Sequence, residues 1–393
     1  MSRRAIIGTG RLLPMSGARP GASGVIDGPW VLVVDDGSIV EVRSGGLAPG
    51  DPDQIKDVGT ALVTPGLVDP HTHLIYAGDR SDEAAARSRG ERYDGGGILR
   101  TVASTAAASD AELVRDLRVR LLAARALGTT TIEVKSGYGL EARAEERLLR
   151  LIATAAEGLP LRVRRTYLGA HAIPAGSDAE TQAEMIVETL PQLAGEADYI
   201  DVFCEPDIFD LGDTQAIAEA GAINGLPLKL HADQLQRSGA ALLGARLGAL
   251  SVDHLEQITE QDARALAKTP TVATILPGPA LMLGTGLPPA RALLDNGAAV
   301  AIGSDANAGT FGEPSMPLAI GLAIGLRFTI DEAVWAATAG GDRALGLGGS
   351  VGTLTPGAQA DIVAWDAEHE GAFAHRLGGV RPAWTWFGGE CDD

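Results

Sequence analysis

Two histidines stand two residues apart in Pro70-His71-Thr72-His73, directly after an apolar run. Side chains alternate along an extended chain, so both imidazoles face the same side. Neutral imidazole is a good ligand for zinc or iron(II). His231 and Asp305 follow two later apolar runs, which makes a set of three nitrogens and one carboxylate. Such a set leaves a position open for water, the feature that separates a catalytic metal site from a closed structural one. His254, in Ser-Val-Asp-His, is either a core histidine bonded to Asp253 or a group that orients or deprotonates the attacking water. Arg80, seven residues after His73, is either a solvated loop arginine or a fork for a substrate carboxylate. Tyr93 and Tyr138 sit in the glycine-rich stretches Arg-Tyr-Asp-Gly-Gly-Gly and Lys-Ser-Gly-Tyr-Gly, where glycine permits close backbone approach. No phosphate-binding pattern follows Gly137-Tyr138-Gly139, so a dinucleotide site is set aside.

Eight short apolar runs must position these groups: 62–68, 129–134, 163–168, 199–203, 226–230, 250–252, 272–276 and 298–302. Helical patterns separate most of them. The clearest, Ala111 to Leu127, opens with a capping box of Ser109 and Glu112. It carries Leu113, Leu117 and Leu121 at four-residue spacing and stops at Gly128. Alternating strands and helices predict a parallel sheet covered on both faces, and eight strands favour a closed (β/α)₈ barrel. The runs end at or near His71 and His73, Glu133 and Lys135, His171, Glu205, His231, Asp253 and His254, and Asp305. In such a barrel these ends converge on one face, where active sites are built.

The two ends of the chain read differently. Trp30–Val34, Asp35-Asp36-Gly37 and Ile39–Val42 predict a hairpin, and Val351–Leu354, Ala360–Trp365 and Trp384–Phe387 are short and β-prone. The expected organisation is a small β-sandwich assembled from residues 1–61 and 351–393 around a barrel of residues 62–350. Met316 to Leu326 is too short to span a bilayer and reads as a buried helix.

A chain of 393 residues, 45% apolar, can bury a large core. Its net charge of −19 argues against nucleic acid or an anionic membrane as partner. A single buried arginine could still accept a small anionic substrate. Cys204 and Cys391 are the only cysteines, so no disulfide framework follows and a cytoplasmic setting is expected. The N-terminal stretch, broken by Gly8, Gly10 and Arg11, does not read as a signal peptide.

Pro65-Gly66-Leu67-Val68-Asp69-Pro70-His71-Thr72-His73 resembles the first-strand signature of the amidohydrolase superfamily, as does the closing Gly357-Ala358-Gln359-Ala360-Asp361-Ile362-Val363. Within that superfamily the chain is similar to the imidazolonepropionase family. The similarity runs through 77–81, 93–97, 133–139, 168–171, 203–205, 231–235, 251–254, 276–278 and 305–310, in the expected order across residues 60–345. It implies hydrolytic ring opening of 4-imidazolone-5-propanoate to N-formimidoyl-L-glutamate, in histidine breakdown, by a metal-activated water. It implies one divalent ion per chain, zinc or iron, on His71, His73, His231 and Asp305, with a homodimer as the assembly. It also implies a small anionic cyclic-amide substrate held by Arg80, Tyr93, Tyr138, His171, Gln234, Asn307, Gly309 and Thr310. His254 and Asp305 are the candidate proton carriers, and which is the base stays open. Ala308 stands where the family often has proline, which implies a less rigid loop. The alternative is a metal-dependent deaminase of the same superfamily. Those enzymes resemble one another in a glutamate three residues after the fifth-strand histidine, where this chain has Gln234. A metal-binding scaffold without catalysis would leave the polar set unexplained.

Overall fold

The protein is described by a computed structural model covering residues 3–90, 97–284 and 286–392. Eight parallel strands form its centre: β1 (Leu67–Asp69), β2 (Thr129–Lys135), β3 (Arg162–Ala170), β4 (Tyr199–Cys204), β5 (Leu228–Ala232), β6 (Ser251–His254), β7 (Val272–Ile275) and β8 (Val300–Ile302). Each is paired with the next in chain order. The ends close on each other past the last ladder. Thr72 bridges Ala306 in parallel, Asp305 N donates to His71 O (3.0 Å), and His73 N donates to Ala306 O (2.9 Å). The Ser304 hydroxyl donates to Asp69 Oδ2 (2.6 Å), tying β8 to β1. The sheet is the expected (β/α)₈ barrel, with helices outside.

The helix read from Ser109 and Glu112 spans Asp110–Ala126, and its capping box forms. Leu113, Leu117 and Leu121 are fully buried against the barrel. Met316–Gly325 is the buried helix predicted at that position, N-capped by Ser315. Among the described residues no helix is long and apolar enough to cross a membrane.

The termini meet in two sheets. One has the spatial order Ser38–Ser44, Trp30–Asp35, Arg4–Gly8, Gln54–Asp57. The hairpin turns on Asp36-Gly37, both at positive φ (44° and 78°), the two-residue turn that follows strand twist. The other sheet joins Glu390–Asp392, Pro382–Phe387 and Ile362–Trp365 to Val63–Pro65, Arg11–Leu12 and Ile26–Asp27. An apolar core containing Ile6, Leu12, Trp30, Leu32, Val34, Val63, Ile362 and Trp386 lies between them.

Two expectations change. The run 62–68 is not one barrel strand: Val63–Pro65 pairs with Ile362–Ala364 in the terminal sheet, and only Leu67–Asp69 enters the barrel. The terminal sheet thus takes in residues beyond 61. Between the two strands, Gly66 crosses so close to β2 that a Cβ would lie 2.0 Å from Thr130 Oγ1. Val351–Leu354 is buried but irregular, because its backbone binds elsewhere. Val351 N donates to Asp342 Oδ1 (3.1 Å) and Leu354 N to Pro14 O (2.8 Å).

Candidate active site

The end of β1 runs directly into His71 and His73, and β5 carries His231 as its fourth residue. Closure of β8 against β1 brings Asp305 to the same point. His73 Nε2 lies 3.3 Å from His71 Nε2 and 3.2 Å from His231 Nε2. Asp305 Oδ1 lies 3.6 Å from His73 Nε2 and 3.8 Å from His71 Nε2. A tetrahedral ion with bonds of roughly 2.0–2.1 Å sets its ligand atoms about 3.3 Å apart, close to this spacing. All four residues are buried.

The far sides of two rings show which nitrogen is available. His71 Nδ1 donates to Asp253 Oδ2 (2.6 Å) and His231 Nδ1 to Asp201 Oδ1 (3.1 Å). With protons on Nδ1, the Nε2 lone pairs of these two rings converge, and convergent lone pairs in a dry site call for a cation. Burial, with the neighbouring Lys135 charge among the other causes, pushes His71, His73 and His231 below the ordinary imidazole range, so they stand neutral, as ligands must. Burial pushes Asp305 up to about 7, a carboxylate in need of positive charge. The donor set therefore fits a metal ion.

A layer of buried charge lies beneath. Burial alone would raise Asp201, but the charge of Lys135 and the hydrogen bonds from His231 and Lys135 outweigh it and hold its carboxyl well below the usual range. Lys135 Nζ sits 2.7 Å from Asp201 Oδ2 and 2.8 Å from Glu133 Oε2. Lys229 Nζ lies 3.7 Å from Asp253 Oδ2 and 3.9 Å from Glu133 Oε1, and donates to Ser251 Oγ (2.8 Å). The chain Asp201–Lys135–Glu133–Lys229–Asp253 links the carboxylates behind two ligands. Asp253 belongs to His71, and the carboxylate facing His254 is Glu256, 3.7 Å from its Nδ1.

One cavity contains His73, Arg80, Tyr138, His171, Gln234, His254, Asp305, Asn307 and Thr310 in its wall, with Ile98 and Phe203. His171 Nδ1 donates to Gly137 O (2.8 Å) and its ring stacks on His73 at 4.9 Å. Burial pushes its pKa down to about 3, so it presents a neutral ring. Tyr138 is placed by Glu145, whose carboxylate accepts from Gly137 N, Gly139 N and Leu140 N at 2.7–2.9 Å. Glu205 does the same for the turn after β5, accepting from Gln234 N and Leu235 N at 2.8 Å.

Arg80 is 4% exposed and its Nε and Nη2 donate to Glu83 Oε2 (3.0 and 2.7 Å). A Cβ at Gly97 would come within 2.1 Å of Arg80 Nη2, and one at Gly309 within 2.5 Å of its Cζ. Gly309 thus makes room for the guanidinium. Asn307 organises its own loop: Oδ1 accepts from Gly309 N and Thr310 N (2.8 Å each), and Nδ2 donates to Asp305 O (2.6 Å) and Thr310 Oγ1 (2.8 Å). It holds Asp305 in place, and these bonds fasten the loop although Ala308 replaces proline. Tyr93 lies outside the described residues. Backbone at positive φ gathers at this mouth in Leu140, Asp233, His254, Leu255 and Asp305, as expected where side chains are held to a task. A larger cavity, about 920 Å³, lies elsewhere, at the opposite ends of the strands between Met15–Pro20 and 269–272, and contains none of these groups.

A closed barrel with three histidines and an aspartate converging at its mouth, in a set suited to a metal ion, is the arrangement of a hydrolase. The family model "Amidohydrolase family" matches residues 77–391, and the chain belongs to that family. Within it the chain belongs with the imidazolonepropionases. It is 44% identical to the imidazolonepropionase of Salinispora arenicola over 386 residues, 96% of each chain. It is 42% identical to that of Nocardia farcinica over 351 residues, 88% of each, and 44% identical to that of Pseudomonas putida strain GB-1 over 350 residues, 86% of this chain and 87% of the relative. The fold is shared with a zinc-bound adenosine deaminase from Xanthomonas campestris (TM-score 0.75, 20% identity, 99% and 92% covered). It is shared also with a guanine deaminase from C. acetobutylicum (TM-score 0.74, 14% identity, all of both chains).

The sequence pattern marks Glu133, Lys135 and Glu205 only as strand-end residues and assigns no role to Asp201, Lys229, Glu145, Glu83 or Glu256. Asp201 and Lys229 do alternate inward with His231 on neighbouring strands, a signal that a charged residue two before a ligand could have given.

Proposed function

We propose that this chain opens the ring of 4-imidazolone-5-propanoate with water to give N-formimidoyl-L-glutamate, with one zinc or iron ion on His71, His73, His231 and Asp305. The observation that carries the reading is the placement of a buried arginine, Arg80, in the wall that also holds His73, His231, His254 and Asp305. It joins a carboxylate anchor to a hydrolytic centre, and the imidazolonepropionase relatives support it. When bound, the ion supplies Lewis acidity, which makes water a competent nucleophile near neutral pH.

The residues then divide the work. Arg80 takes the propionate, with Tyr138 and Tyr93 beside it, and orients the ring. His254 accepts the proton as water adds to the ring carbonyl carbon. The bond from that carbon to the ring nitrogen breaks, and the proton taken from the water is passed on by way of Asp305 to the departing nitrogen. Buried His171 and Phe203 keep bulk water from the reacting carbon. Gln234 carries no titratable acid to shuttle a proton, which favours ring opening over deamination. A homodimer in the cytoplasm completes the reading, and sedimentation tests the dimer.

The test is incubation of the metal-loaded protein with fresh imidazolonepropionate and mass spectrometry for one added water, with ammonia measured alongside. Ammonia release without ring opening would return the deaminase. Truncating one partner of a buried charge pair costs roughly 2–5 kcal/mol, so kcat/KM of Arg80→Ala should fall about 30- to several-thousand-fold. Most of that loss should vanish on an analogue with a neutral side chain. An equal loss on both compounds would make Arg80 a structural residue only.

A further inference from the structure

Glu256 stands out because the chemistry described above gives it nothing to do. It follows β6 by two residues, and its side chain is fully buried. Neither carboxylate oxygen has a hydrogen-bond partner among the described residues, and neither does Nδ1 of His254. These orphaned atoms face each other, with Glu256 Oε1 3.7 Å from His254 Nδ1. That is just beyond hydrogen-bond length, and a small rotation completes the bond. A buried carboxylate without a partner is costly, and an acceptor facing a donor nitrogen is the arrangement that removes the cost.

The backbone has been bent to achieve this. His254 and Leu255 both have positive φ, 79° and 71°. Two successive non-glycine residues in that region are strained, which persists only where the surroundings compel it. Along a regular strand Glu256 would share a side with His254 at a separation set by the strand rise. The bend instead ends β6 at His254 and leaves the carboxylate at its Nδ1. His254 lines the site cavity, and a nitrogen of its ring lies within 4.8 Å of ligand atoms of His71 and Asp305.

We infer that Glu256 is the positioning residue of His254: its carboxylate accepts a hydrogen bond from Nδ1–H, fixes that tautomer, and leaves Nε2 as the free base facing water and the substrate carbonyl. The inference rests on His254 being the proton acceptor. The arrangement parallels what Asp253 does for His71 and Asp201 for His231, so three imidazoles at this mouth each have a carboxylate behind them. Glu256 is not among the residues lining the site cavity and acts through the ring.

The experiment uses metal-loaded full-length protein with ¹⁵N-labelled histidine. Wild type should show His254 protonated on Nδ1. The isosteric Glu256→Gln keeps the volume and an acceptor oxygen but loses the charge, whereas Glu256→Leu loses both. Since a positioned base contributes about 10²–10⁴-fold, kcat should fall about tenfold in Glu256→Gln and about 100-fold in Glu256→Leu. KM and metal content should hold, and the Nδ1–H signal of His254 should shift or vanish in Glu256→Leu. Glu256→Asp should recover part of kcat. Should Glu256→Leu fail to fold, Glu256→Gln decides alone. An unchanged kcat with an unchanged His254 signal overturns the inference, provided His254→Ala is inactive. Full turnover by His254→Ala would instead remove the proton-acceptor reading, and the inference with it.

Discussion

The two interiors of this molecule are built on opposite plans. Between the terminal sheets lies an apolar cluster, with Trp30 and Trp386 each 1% exposed among Leu, Ile, Val and Ala. Beneath the metal-ligand set, the barrel interior holds Glu133, Lys135, Asp201, Lys229 and Asp253, all at most 1% exposed. Barrel interiors are normally filled by branched apolar side chains. Replacing buried ion pairs by apolar residues of equal volume is often neutral or stabilising, so stability alone does not account for this layer. Each of its charges is traceable to a ligand: Lys135 to Asp201 and His231, Lys229 to Asp253 and His71. The contrast teaches that the sandwich core stabilises the fold and the barrel core aims the histidines.

Substitutions can break that contrast. The largest effect is expected for Lys135→Met, which leaves Glu133 and Asp201 without their cation. Breaking a buried pair in this way costs about 3–5 kcal/mol. Loosening the carboxylate behind a ligating histidine lowers metal affinity about 10–100-fold. Thermal unfolding of the metal-free protein and a chelator competition should therefore both move. A wild-type metal affinity would mean the charged layer does not aim the ligands. Trp386→Ala should cost a similar ~3–5 kcal/mol by leaving a cavity, yet kcat and metal content of the folded fraction should equal wild type. A fallen kcat would show that the sandwich reaches the site.

The smallest effect is expected at Cys204, in the fourth barrel strand. Its thiol is buried, and burial pushes its pKa to about 12, so it is no nucleophile at neutral pH. Sγ lies 3.9 Å from Asp210 O, to which it donates weakly. Cys204→Ala should cost about 1 kcal/mol, the loss of one small buried group, with turnover nearly intact. Inactivity in a folded variant would make the thiol part of the chemistry.

Much of the site was legible because it depends on local pattern. Alternation of apolar runs with helical spacing is a short-range signal, and in a parallel barrel it also dictates that strand ends share one face. His71, His73, His231 and Asp305 could therefore be grouped before any distance was known. Capping at Ser109 was readable for the same reason, since a capping box closes within four residues. Arg80 could be nominated from its nearness to His73, but its seat between Gly97 and Gly309 could not.

What the sequence by itself determined was the barrel, the order of its strands and which residue types arrive at its mouth, because each follows from periodicity and neighbours along the chain. Only the tertiary structure decided which carboxylate stands behind which histidine. Asp253 adjoins His254 in the chain yet serves His71, 182 positions away, while His254 meets Glu256 across a strained bend. Such pairings are set by strand register, barrel curvature and the φ angles of one or two residues. A one-residue change in any of them turns a side chain to the other face of the sheet, and none of them leaves a mark in local composition.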